Sequence, residues 1–405
     1  MIERAFNKDN PAVVLGMFET GLGVGRSLGR KGIEVIGVDF KKDIGFYSKY
    51  INACICPHPL EEEEKFIEFL VALSKRKKEK PALFITSDDF LLSITKNREH
   101  LSEYFLMNFP EKQIVESVID KFQQYLLVKK IGIPLPKTFF PENMTELNEI
   151  KKELSYPVFV KAQEVNVWRK NISSSLKGFL ITKEHDLMNT FRAIFEKNSR
   201  AIVQEVVQGP DTNHFKICCY LSREGTALLA FTLQKIRQLP VRFGVGAVVR
   251  SVHYPRLLDV GKKLFTAIKY RGVGSAEFKL DAKDQRLKLI ELNPRYWQQN
   301  ILSERCGMNF PFIDYLEVTG QNPEPIYRFY KGVKWVNIYM DFNSYLTYQR
   351  DKELTLNDWL NSLRGMKVYS DFARDDILPA FYEIRFGKRL FRLPRYVLNK
   401  LKDGK

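Results

Sequence analysis

Near residue 280 the chain reads Gly272-Val-Gly-Ser-Ala-Glu277-Phe-Lys-Leu-Asp281, crosses the polar stretch Lys283-Asp284-Gln285-Arg286, and returns as Leu287-Lys-Leu-Ile-Glu291-Leu-Asn293-Pro-Arg295. Two acids, an amide and a guanidinium thus stand on otherwise apolar sequence, where an unpaired carboxylate is costly to bury. Residues 276–280 and 289–293 alternate with the period of strands, so Glu277 and Glu291 are expected to face each other across an antiparallel hairpin. Glu277, Glu291 and Asn293 form a hard-oxygen donor set suited to magnesium, with manganese as a substitute. Such a cation takes one or two carboxylates, waters and nucleotide phosphates. Arg295 follows within the same turn, and its planar fork suits a carboxylate or phosphate. A surface hairpin with cross-strand charge pairs is the competing account of the two glutamates alone; the Asn293-Pro294-Arg295 exit argues against it.

The elements that must position this hairpin are legible in outline. Strand-like Ala12-Val-Val-Leu, a glycine-rich stretch at Gly21, Gly23 and Gly25, a helix, and the strand ending at Asp39 form a βαβ unit. The glycine spacing is GxGxG rather than GxGxxG, and Asp39 lies closer than the usual ~20 residues. Two readings stay open: a nicotinamide-dependent oxidoreductase using this turn, or a tight strand-to-helix turn whose helix N-terminus meets a substrate carboxylate near Gly23. The alternation continues through a helix near 61–78, a strand at 82–86 and the acidic loop Ser87-Asp88-Asp89. Further on, Lys121 opens a helix that Gly132 and two prolines terminate. Tyr156-Pro-Val-Phe-Val-Lys161 is a strand with a lysine at its exit, which must enter a site or reach outward to solvent. Residues 201–207 form another strand, ended by Gln208-Gly209-Pro210-Asp211.

At 405 residues with a 44% hydrophobic content, two or three domains with ordinary cores are expected, not disorder. The net charge of +16 favours anionic partners such as nucleotides or a membrane surface. Nucleic acid is not expected, because no recognised binding module accompanies the charge. Five cysteines with no CxxC pair suggest a reduced, cytoplasmic setting. Neither a secretory leader nor an apolar run of about 20 residues is visible.

Taken in order, Lys121, Lys161, the 201–211 strand and turn, and the Glu277/Glu291/Asn293 set resemble the ATP-grasp superfamily of carboxylate–amine ligases over residues 10–320. The resemblance implies an α/β chain with an open parallel domain at 1–115, a small α+β subdomain at 116–210, a larger antiparallel metal-binding subdomain at 211–320 and a basic, aromatic-rich extension at 321–405. It implies that Lys121 and Lys161 contact ATP phosphates. Gln204 would meet adenine through its side chain, Glu205 through its backbone carbonyl and Val207 through its N–H, with Asp211 on the ribose. Glu277, Glu291 and Asn293 would hold magnesium, and Arg295 would steady the transferred phosphate or the acyl phosphate. Taken singly, Lys121 also reads as a solvated helix-start lysine and Asp211 as a turn former. The sequence departs from the family in its phosphate-covering loop, where Asn171-Ile-Ser173-Ser-Ser175-Leu-Lys177 contains no glycine, and in Gln204 standing where the hinge acid is usual.

A substrate carboxylate attacking ATP to give an acyl phosphate, then an amine attacking that, is the activity the resemblance implies. A non-catalytic nucleotide-binding homologue is the alternative. The acceptor pocket is expected between the N-terminal glycines and the loop at 242–251, with Arg250 as a carboxylate clamp or a surface charge, and with Lys235 and Arg237 adding positive potential. The extension is similar to tails in a carboligase group that resembles D-aspartate ligases, pointing to an amino acid joined to a cell-envelope precursor. Its last stretch, from Arg385 to the C-terminus, interleaves basic and apolar residues and reads either as a solvated tail or as a contact with the anionic inner face of a membrane. Homo-oligomerisation stays open.

Overall fold

The computed structural model describes residues 6–172 and 178–385. The serines expected to cover phosphate, Ser173 and Ser175, and the basic residues 386–405 lie outside the described residues. No described helix is long and apolar enough to cross a membrane.

Three sheets organise the chain. The first is parallel, built from β1 (Ala12–Leu15), β2 (Val35–Asp39), β3 (Asn52–Ile55) and β4 (Ala82–Ile85) in the order β3-β2-β1-β4. Its β1 and β4 residues are all buried, as expected for strands covered on both faces. The order reverses between β2-β1 and β4, so a crevice opens beyond the carboxyl ends of β1 and β4. The second sheet, β5 (Thr138–Phe139), β6 (Val158–Ala162), β7 (Gly178–Ile181) and β8 (Ala201–Glu205), is antiparallel in the order β5-β8-β6-β7. In β6 the alternation is plain: Val158, Val160 and Ala162 enter a core with Phe191 and Ile194, while Phe159 and Lys161 turn to the other side.

The third sheet has seven strands: β9 (His214–Leu221), β10 (Ala227–Leu239), β11 (Val245–Ser251), β12 (Gly272–Leu280), β13 (Leu287–Asn293), β14 (Lys334–Val336) and β15 (Lys367–Tyr369). Their order is β13-β12-β9-β10-β11-β14-β15, so two strands from beyond residue 320 complete this sheet. Period-2 side chains divide it into two faces. Ile217, Cys219, Ala276, Phe278, Leu289 and Leu292 share one core. Cys218, Tyr220, Phe231, Leu233 and Val273 face the opposite way, into a core shared with Ala12, Val14 and Phe84 of the parallel sheet.

One sequence expectation is overturned here. Gly21, Gly23 and Gly25 do not form a turn; they lie inside the helix Glu19–Gly29. A β-carbon on Gly21 would come within 1.8 Å of the Gly16 carbonyl oxygen, one on Gly23 within 2.3 Å of Asn300 Oδ1, and one on Gly25 within 2.4 Å of Ile51. The glycines are there so that the helix can approach its neighbours. Asp39, the supposed ribose acid, instead accepts from the N–H of Met17 at 2.6 Å and of Phe40 at 2.8 Å, fixing the β1 turn. Gly21→Ala is expected to destabilise the protein by about 1–3 kcal/mol through this overpacking against backbone. Urea denaturation measures it, and an unchanged midpoint would contradict the close approach.

Candidate active site

A cleft of about 350 Å³ separates the second sheet from the third. The same alternation that builds the cores builds its walls. From β6 come Phe159 and Lys161, from β8 and its exit Gln204, Glu205, Val206 and Val207, and from the third sheet His214, Lys235, Glu277, Lys279, Ile290, Glu291 and Asn293. Lys121, Asp88 and Arg295 also line it.

Glu277 and Glu291 are register partners across β12 and β13, as are Ser275 and Asn293. The register slips between Glu277 and Phe278, so Ile290 is the extra residue on β13 and also reaches the cleft. Lys121 Nζ lies 2.8 Å from Glu291 Oε1. Glu277 is held at both oxygens, by Lys216 Nζ at 3.0 Å and Lys235 Nζ at 3.0 Å. Burial alone would raise the Glu277 pKa, but the two lysines override it and hold the carboxyl well below the usual range. Arg295 forks onto Asp88 through Nε at 2.6 Å and Nη2 at 3.0 Å. Burial opposes the charge on Asp88 too, and Arg295 keeps its carboxyl below the ordinary value. The sequence had marked Asp88 only as part of an acidic loop.

Lys161 makes no ion pair among the described residues. Burial, with Lys121 nearby, pulls its ammonium down to about 8. His214 is buried with both ring nitrogens unpartnered among the described residues, and burial, reinforced by Lys235 and Lys279, pushes its pKa well below the usual value. It is a neutral imidazole that sequence reasoning missed. The signal was present in the alternation His214-Phe215-Lys216-Ile217, which puts two polar side chains on one face.

The donor set fits a hard divalent cation. Two carboxylates and an amide oxygen face the same cleft, and three lysines balance the carboxylates. Among the described residues no three His, Cys, Asp or Glu side chains form a ready-made cage, so the remaining ligands would be water and phosphate.

Three predicted residues are not brought to the cavities. Asp211 does not line the cleft; its carboxylate accepts from Gln238 Nε2 at 2.7 Å, from the Arg242 N–H at 3.4 Å and from the Tyr348 hydroxyl. Arg250 sits on β11, where Val249 takes the inward face, so the arginine points away and donates to Gln234 Oε1 at 2.7 Å. Gly23 packs on Asn300, as described. Arg237, expected to add positive potential, is buried against Asp341 at 2.5 Å. Gln204 is in place, with its amide nitrogen donating to Tyr125 and, at 2.9 Å, to Thr138. The Glu205 side chain accepts from Lys288 Nζ at 3.2 Å.

A second cavity of about 400 Å³ adjoins the first, sharing Asp88, Lys235, Glu277, Glu291, Asn293 and Arg295. It fills the crevice beyond the parallel strands, with Gly16, Asp39 and Thr86 at their exits. Ser275 Oγ and Trp297 Nε1 are buried along it without hydrogen-bond partners among the described residues.

No family model matches the chain. D-aspartate ligase of Enterococcus faecium is 24% identical over 275 residues, covering 65% of this chain and 65% of the relative; the chain thus matches under two thirds of that protein's length. The crystal structure of N5-carboxyaminoimidazole ribonucleotide synthetase in its ADP complex superposes with a TM-score of 0.66 at 14% identity, over 87% of each chain. L-amino acid ligase from Bacillus licheniformis gives 0.58 at 14% identity, over 78% of this chain and 77% of that one. The fold is the ATP-grasp fold, and in sequence the chain resembles the carboxylate–amine ligases built on it.

Proposed function

We propose that the chain is an ATP-dependent carboxylate–amine ligase that makes an amide through an acyl phosphate. The observation that carries this reading is the convergence of Lys121, Lys161, the Gln204–Val207 hinge residues and the acidic hairpin on one cleft, which continues into a second cavity. ATP would lie with its base against Phe159, Val206, Val207 and Ile290 and its phosphates toward Lys161 and Lys121. Lys121 and Arg295 would exchange Glu291 and Asp88 for phosphate oxygens. Glu277, Glu291 and Asn293 would hold magnesium or manganese, which neutralises charge on the phosphate chain.

The carboxylate substrate occupies the second cavity, where Ser275 Oγ and Trp297 Nε1 offer unused donors. Its oxygen attacks the γ-phosphorus in line, an O–P bond forms, the bond to the β-phosphate oxygen breaks, and ADP leaves. The amine nitrogen then bonds to the acyl carbon, the C–O bond to phosphate breaks, and the amine's proton passes to solvent or the departing phosphate. No side-chain nucleophile is needed; positioning and cationic stabilisation supply the rate. The name of the relative, D-aspartate ligase, supports an amino acid as one substrate, and we propose a cell-envelope precursor as the other.

Magnesium-dependent ADP release is expected with one pair in a panel of amino acids and carboxylates, and Glu291→Gln should reduce it by about 100-fold. Turnover without ATP, or full activity in that variant, overturns the ligase reading. Lys161 binds phosphate only as an ammonium, and its lowered pKa of about 8 sets the sign: ATP affinity should fall as pH rises from 7 to 9. Lys161→Arg should flatten that profile, since a guanidinium stays charged; titrations of a fluorescent ATP analogue give the slope. The basic sequence 385–405 supports a further contact with an anionic bilayer. Salt-sensitive sedimentation with anionic but not neutral vesicles is the expected outcome, and equal recovery with both would dismiss the electrostatic contact.

A further inference from the structure

The region beyond residue 320 reaches the cleft as well as the sheet. The helix Ile338–Arg350 packs along β10 and carries Asp341, Ser344 and Tyr348 toward it. Asp341 takes Arg237 at 2.5 Å and the Trp359 indole N–H at 2.8 Å, which ties this helix to the next one, Leu356–Ser362. Ser344 Oγ donates to the Gln238 carbonyl at 3.1 Å. Tyr348 donates to Asp211, whose other oxygen accepts from Gln238 Nε2 at 2.7 Å. Gln238 Oε1 in turn accepts from Lys235 Nζ at 3.3 Å, and that ammonium lies 3.0 Å from Glu277 Oε2.

These contacts form one continuous chain, Tyr348 to Asp211 to Gln238 to Lys235 to Glu277. Gln238, Lys235 and Glu277 line the nucleotide cleft, while Tyr348 and Asp211 do not. Gln238 is fully buried and Asp211 is nearly so, so each link has few alternatives in solvent. The Tyr348 phenol, raised by burial and by Asp211, stays protonated at any working pH and serves as a permanent donor. Both Asp211 oxygens are already engaged, which argues against a free acid waiting for a ribose.

We infer that Tyr348, supplied by the C-terminal helix, is a positioning residue for the nucleotide cleft, acting through Asp211 and Gln238 on the Lys235–Glu277 pair. The C-terminal helices therefore complete the ATP site. This rests on the ATP-binding reading above. Without the phenol hydroxyl, Gln238 loses its fixed orientation, Lys235 loses one acceptor, and Glu277 is held less firmly for cation and phosphate.

The test uses the full chain and direct titration with MgATP. Tyr348→Phe should weaken binding about 3- to 10-fold and raise the magnesium concentration needed for half-saturation, with the melting temperature close to wild type. The double variant Tyr348→Phe/Gln238→Ala should be no weaker than Gln238→Ala alone, because the two act as a unit. Additive losses overturn the chain, as does wild-type affinity in Tyr348→Phe. A lowered melting temperature with unchanged affinity and magnesium dependence assigns Tyr348 to stability alone and also rejects the inference. Asp211→Asn separates the remaining alternative: a loss there with none in Tyr348→Phe means Asp211 meets the nucleotide directly. If wild type binds no MgATP at all, the ligase reading fails first and takes this inference with it.

Discussion

The constraint on which the rest depends is the burial of Glu277. A carboxylate set into a seven-stranded sheet persists only where cations meet both of its oxygens, and Lys216 of the adjacent strand β9 and Lys235 of β10, the strand beyond it, do so. Those lysines can reach it only because β9, β10 and β12 are neighbours in the sheet. That the charged row turns away from Ile217, Ala276 and Phe278, which enter the opposite core, then follows from strand geometry, since alternate side chains point to opposite faces. The cleft is thus lined with charges whose mutual neutralisation holds it in shape.

The second requirement is that separate layers stay registered over that row. Asp88, at the start of a helix after β4, grips Arg295 just past β13, so the parallel sheet is tied to the acidic hairpin at the point where the two cavities meet. On the far side, Arg26 is buried against Asp376 at 2.8 Å, and Arg30 pairs with Asp375 at 2.9 Å. These bonds strap the chain's later segment onto its first helix. At the cleft, Phe159 of the second sheet stacks on Phe243 of the turn that joins β10 to β11, with ring centroids 4.7 Å apart and planes 12° from parallel. Around the cavities these specific contacts add to the apolar core that the parallel sheet shares with the third sheet.

How much was legible depended on whether an element's meaning was local. The hairpin at 272–293 was readable because period-2 alternation and a polar turn are local signals, and the facing of Glu277 and Glu291 follows from them. Lys161 was readable for the same reason. The glycines at 21–25 misled, because a helix that must approach backbone closely and a loop that must cradle a ligand call for the same residue. Arg250 misled because its face of β11 is set by the register with β10 and β14, which no local pattern reports. Asp211 was sought at a ribose, yet its nearest donors come from residues 238, 242 and 348, far away along the chain.

The sequence by itself determined the secondary elements, the alternation that sorts charged from apolar side chains, and the order of lysines, hinge and acidic hairpin that resembles one superfamily. The first two are properties of residue type and spacing within a dozen positions, and the third is linear order along the chain. Only the tertiary structure decided which cation neutralises which carboxylate, that Asp88 grips Arg295, and that a helix from beyond residue 320 adjoins the cleft. The reason is physical. A charge is stabilised by whatever lies within a few ångströms of it, and here those partners are 207 residues away in sequence for Asp88 and Arg295 and 350 for Arg26 and Asp376.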